Sequence, residues 1–274
     1  MTEQDMPNNL YDAVHCCLMI SDPFEKAQAT QLAYRIFSSL ERSDPGDIQR
    51  IETPGIPLKP ELVAPQQVKK RGFGSVQGRV ALLHALAHIE FNAINLALDA
   101  VYRFRDMPDP YAENWLQVAS DESRHFVMVS DRLRQLDSYY GSMEAHAGLW
   151  NMALKTDHDV MVRMALVPRV LEARGLDVAP PMIEKFRQHD DHLSADILEV
   201  IFNDEIIHVQ IGNHWFRYAC EQRDLVPSEV FADLLRQHSK GVLRGPYNVV
   251  ARVQAGFSME ELDALRDIEA EWSD

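Results

Sequence analysis

The chain has 274 residues, 46% hydrophobic and 25% charged, which excludes a disordered or fibrous protein and leaves room for a sizeable core. Its net charge of -15 argues against general nucleic-acid binding, which needs clustered Lys and Arg on phosphates. Three cysteines, Cys16, Cys17 and Cys220, without a CxxC pair, signal neither a disulfide framework nor a thiolate zinc site and fit a reducing cytoplasm.

The first residues, "MTEQDMPNNLYDAVHCC", are acidic where a signal peptide would be basic, so a cytoplasmic location is expected. Residues 8–40 read as two short helices, the second opened by Ser21 or Asp22 ahead of Pro23 and Glu25. From Ser43 to Gly78, repeated Pro and Gly break any period and predict a linker or a long wrapping loop. "KKRG" at Lys69 to Gly72 is a short basic run that reads as solvated linker.

Four long segments with helical periodicity follow. The first, Arg79 to Phe104, has an apolar stripe of Leu82, Leu86, Ile89, Ala93, Leu96 and Ala100. It also carries His84, His88, Glu90, Asn92, Asn95 and Asp99, too many polar groups for a lipid-facing span, so no transmembrane helix is expected. The second runs from about Tyr111 to Leu136. The third runs from His158 to Arg174, with Gly175 as its C-cap, and the fourth from near Asp190 to Cys220. No hairpin-like alternation appears, so strands should be few. After Val226 come a short helix and another that opens at Ser258 with Glu261 as a capping box. The expected fold is all-α: a four-helix bundle at 76–224, N-terminal helices and linker at 1–75, and a helical extension at 225–274.

The second segment contains Asp121-Glu122-Ser123-Arg124-His125, and 83 residues later the fourth repeats the pattern as Asp204-Glu205-Ile206-Ile207-His208. Glutamate and histidine three apart on a helix share a face at chelating distance. Glu90 precedes Glu122 by 32 residues and Glu172 precedes Glu205 by 33, so two hairpins of equal length bring like residues to one level. Two lone glutamates and two Glu-x-x-His pairs are the ligand set of di-iron or di-manganese carboxylate bundles. Four buried carboxylates would be prohibitively costly alone, and two divalent cations balance them. The metal ligands are therefore Glu90, Glu122, His125, Glu172, Glu205 and His208, with Asp121 and Asp204 accepting the second ring N–H of the histidines. Glu184 competes with Glu172 but lies beyond Gly175, Pro180 and Pro181, and Glu144 lies in a segment that reads as loop.

This set resembles the ferritin-like superfamily, and "DESRH" is similar to the Asp-Glu-x-Arg-His motif of bacterial multicomponent di-iron monooxygenases. The runs "HALAHIEFNAINLALDAVYRF", "VPRVLEARGLD" and "GPYNVVARVQAGFS" resemble a bacterial ferritin-like family catalogued only as a domain of unknown function. The ligand pattern is also similar to that of tRNA-modifying di-iron hydroxylases, a reading that would need a basic face around Lys69, Lys70, Arg71 and Arg103. The resemblance implies a fold and a centre of two iron ions, manganese being the alternative. "DEIIH" lacks the arginine of "DESRH", and the added helices speak against a storage cage.

The expected activity is O2-dependent oxidation or hydroxylation of a small organic substrate with a separate electron donor, without nucleic acid or membrane, and with a homodimer left open. The rival readings are a ferroxidase or peroxide scavenger and a metal-free helical scaffold. His84 and His88 point off the ligand face and read as structural. Pro168 should bend the third helix, opening it beside the metals or serving packing alone. "HDDH" at His189 to His192 reads as a solvated helix start.

Overall fold

A computed structural model describes residues 2–43, 46–69, 71–240 and 243–272; Lys70 of the basic run and Pro45 of the linker lie outside them. The protein is all-α, as its periodicity predicts. Among the described residues no strand forms, and extended pairing is confined to two isolated bridges, Asn9 with Glu41 and Leu62 with Ala145. The chain divides into two compact units, Met1–Leu154 and Lys155–Asp274.

The first unit contains α1 (Leu10–Met19), α2 (Pro23–Arg35), α3 (Val76–Arg103) and α4 (Asp109–Gln135), and α5 (Gly148–Lys155) begins at its end. Asp22 caps α2 by accepting from the N–H groups of Phe24 and Glu25, each at 2.9 Å. Among its described residues the Pro/Gly segment before α3 is irregular apart from a short turn at Pro65–Gln67, and it wraps the unit. Its anchors are backbone bonds: Gly55 N–H to Leu18 O at 2.9 Å, and a reciprocal pair joining Val63 to Ala145 O and Ala145 N–H to Glu61 O. Gly55 is required there, because a Cβ would stand 2.3 Å from the Met19 carbonyl oxygen. Lys26, fully buried on α2, donates to Leu18 O and Gly55 O at 2.8 Å each and to Asn95 Oδ1, so one side chain ties α1, the wrapping segment and α3.

The expected stripe of α3 needs correction. Its second half, Ala93, Leu96 and Ala100, is buried as expected, but Ile89 is 49% exposed and Leu82 and Leu86 are half-buried, and Val80, Leu83, Ala87, Phe91, Ile94 and Leu98 complete the core face. The reason is that His84, His88, Glu90, Asn92, Asn95 and Asp99 are themselves buried, so polarity no longer marks the outer face. By length and composition α3 could cross a membrane, but 67% of its apolar window is buried inside the protein. Asp99 sits there in a bidentate pair with Arg103, Nη2 to Oδ1 being 2.7 Å. Arg103 is thus withdrawn from any basic face.

The second unit contains α6 (Val160–Leu166), a π-helical turn (Val167–Glu172), α7 (Ala173–Gln188), α8 (His192–Glu221), α9 (Pro227–His238), α10 (Val249–Gln254) and α11 (Met259–Glu271). Gly175 is no C-cap: α7 continues through it and through Pro180 and Pro181 to Gln188. Burial of Leu176, Ala179, Ile183 and Phe186 outweighs prolines that each disfavour a helix interior by about 3 kcal/mol. Glu184, now helical, faces water. Asp191 caps α8 through Ser194 N–H at 3.2 Å, while His189 and Asp190 are exposed, as a solvated start requires.

Candidate metal centre

Glu122 and His125 show how α4 resolves the motif "DESRH". Three residues apart, they turn to one side and are both fully buried, with Glu122 Oε2 3.2 Å from His125 Nδ1. Asp121 and Arg124 are half-buried, with Arg124 Nη2 3.6 Å from Asp121 Oδ1. The neighbouring α3 delivers Glu90, 1% exposed, whose Oε2 lies 3.5 Å from the same His125 nitrogen. Glu90, Glu122 and His125 each present one ligand atom, all within 4.8 Å of one another.

Two carboxylates and an imidazole buried this closely are in electrostatic conflict. Burial, and next the charge of Glu122, push Glu90 up to about 8, so near neutrality the pair does not hold two negative charges unaided. Glu90 Oε2 is buried and takes no hydrogen bond. An oxygen lone pair, a second carboxylate and an imidazole nitrogen converge on one small volume. That donor set fits a divalent cation, which would bring both carboxylates back to the charged form.

In the second unit, "DEIIH" resolves the same way on α8. Glu205 and His208 are buried, 9% and 1% exposed, with Oε2 to Nδ1 at 4.0 Å. Ile207, which stands where "DESRH" has its arginine, is 47% exposed. Glu172 is half-buried and ends the π-helical turn, one turn of chain before Gly175. A Cβ on Gly175 would lie 3.8 Å from Glu205 Cγ, which puts the first turn of α7 beside the Glu205 side chain. Asp204 is half-buried. Pro168, the residue expected to bend this helix, is the second residue of the π-turn and is packed against Gly212 of α8.

The two histidines set aside as structural are so. His84 Nε2 accepts from Gly141 N–H at 2.9 Å, and burial, with His88 and Arg71 nearby, lowers its pKa to about 4. His88 bonds Tyr140 Oη and His146 O, each at 3.0 Å. Sequence reasoning missed Lys26 and Arg169, both fully buried, because nothing local distinguishes a buried lysine or arginine from the usual solvated one.

The fold and this site define an all-α protein with buried glutamate and histidine groups able to hold a metal ion. Residues 19–263 match the family described as protein of unknown function (DUF455), and the chain belongs to that family. An uncharacterized protein of Haemophilus influenzae is 49% identical over 220 residues, covering 78% of this chain and 76% of the relative. No solved structure matches.

Proposed function

We propose that this protein is a di-iron carboxylate oxidoreductase of ferritin-like architecture that uses dioxygen to oxidise or hydroxylate a small organic substrate, taking electrons from a separate donor. The observation that carries the reading is the buried Glu90, Glu122 and His125 set, with its ligand atoms within 4.8 Å. Its sequence counterpart is Glu172, Glu205 and His208, at a Glu-to-Glu spacing of 33 residues against 32. In this reading the metal-bearing core is a four-helix bundle at 76–224, and 1–75 and 225–274 are accessory.

Iron, with manganese as the alternative, supplies redox and Lewis-acid chemistry when bound. Glu90 and Glu122 give up the proton that burial favours and hold the positive charge. The imidazoles of His125 and His208 each offer one nitrogen, and Asp121 and Asp204 hold the other ring N–H, fixing tautomer and ring plane. The apolar helix faces exclude bulk water.

Elemental analysis after anaerobic ferrous loading tests the reading. The wild type should retain about two irons per chain, and His125→Ala with His208→Ala should lose both. A loaded wild type without stoichiometric metal would refute it. Rapid O2 consumption with ferrous iron alone, to a ferric product, would replace the hydroxylase with a ferroxidase.

A further inference from the structure

The first unit holds a cavity of about 240 Å3 between the wrapping segment at 52–62 and α3. It stands apart from the metal reading, since neither Glu90, Glu122 nor His125 lines it. Its walls include Phe91, Tyr140 and Trp150, and the proline-rich stretch supplies further apolar surface. Both ring nitrogens of His88 are engaged, with Tyr140 Oη and His146 O, so that side chain is wall and has no hydrogen left for a ligand.

Asn92 is different. It is 6% exposed and lines the cavity, and its Nδ2 donates to His88 O at 2.8 Å. Among the described residues no donor reaches its Oδ1. That oxygen is not sealed from solvent, and so it presents an acceptor to a ligand in the cavity. The charge of the lining is equally telling. No lysine or arginine lines the cavity to take an anion. The one carboxylate, Glu52, has a side chain 72% exposed and is paired with Arg50 at 3.1 Å, so no buried negative charge awaits a cation.

We infer that this cavity binds an uncharged, ring-sized organic molecule whose N–H or O–H donates to Asn92 Oδ1 while its ring packs among Phe91, Tyr140 and Trp150. The volume lies just below the roughly 300–1,000 Å3 typical of ligand pockets, which suits one or two fused rings. A site built around an unpaired acceptor rejects an isostere that lacks the donor.

Indole and indene make the test, being of one shape and differing in the N–H. Calorimetric titration of the purified full chain should show one indole bound, at least tenfold tighter than indene, benzoate or benzylammonium. Ala147→Phe, which fills the cavity from its half-exposed wall, should abolish binding while the melting curve is kept. Asn92→Leu should bring indole and indene to equal affinity. Indene binding as tightly as indole overturns the inference, as does a charged ring compound doing so. So does failure of every uncharged donor among indole, phenol, 4-methylphenol and 2-pyridone to bind, or indole binding unchanged in Ala147→Phe.

Discussion

At the scale of single residues, the protein keeps several ionisable groups inside and gives each a different reason to stay. His84 is neutral because its Nε2 accepts from Gly141 N–H, a bond that protonation would abolish. Its pKa is about 4 in the fold against an ordinary 6.5, so between those values the unfolded chain binds the extra proton. Stability therefore falls as pH drops from about 6.5 towards 4, by up to roughly 3 kcal/mol from this group. Urea unfolding should show that slope, and His84→Gln, which keeps an acceptor for Gly141, should flatten it; an unchanged slope would remove His84 as its source. Arg169 stays charged among the faces of Phe216, Phe231 and Phe257, with Cζ 3.8–4.9 Å from the ring centroids, and donates to Glu261. Arg169→Met should lower the unfolding free energy by roughly 3–5 kcal/mol, because Glu261 is left buried with its charge poorly compensated. The low end is expected, since Arg217 Nη2 stands 3.7 Å from Glu261 Oε2. Adding Glu261→Gln should recover part of that loss.

At the scale of elements, the π-helical turn at Val167–Glu172 is where packing and the candidate site meet. It carries Pro168, the caged Arg169 and the half-buried Glu172 within six residues. The bend has a packing partner: a Cβ on Gly212 would lie 2.3 Å from Pro168 Cβ and 2.5 Å from its Cγ. A proline ring cannot swing aside, so Gly212→Ala should destabilise by about 1–3 kcal/mol, read as a lower melting temperature by circular dichroism. A neutral result would mean that α8 and the π-turn slide apart freely. Glu261 joins the same region from α11, since it accepts the Ser258 N–H in the capping box and also faces Arg169. Arg252 of α10 reaches Asp177 of α7 at 2.8 Å, so the tail helices are bound into their unit by buried charge as well as apolar area.

For the whole molecule, a cation held by buried carboxylates should act as a folding ligand. Binding to the native state alone adds about 2.7 kcal/mol at a hundredfold excess over Kd, so ferrous or manganous loading should raise the melting temperature in calorimetry and a chelator should reverse it. Loading without any shift would mean that the buried glutamates hold no metal. Much of this was readable from sequence. The approximate starts of the four long helical segments, the Asp22 and Ser258 caps, the absence of hairpin signals and the inward face of each Glu-x-x-His pair follow from local periodicity and hydrogen-bonding chemistry, which act over a few residues. What only the tertiary structure decided was burial and continuity. It put the polar residues of α3 inside and Ile89 outside, carried α7 past Gly175 and two prolines, buried Lys26 and Arg169, and assembled the Asn92 cavity from separate segments at 52–62, 88–92 and 140–151. These outcomes depend on which partner each face meets. A proline's local penalty or a lysine's desolvation is set against packing energy and hydrogen bonds contributed by residues that no local pattern can name.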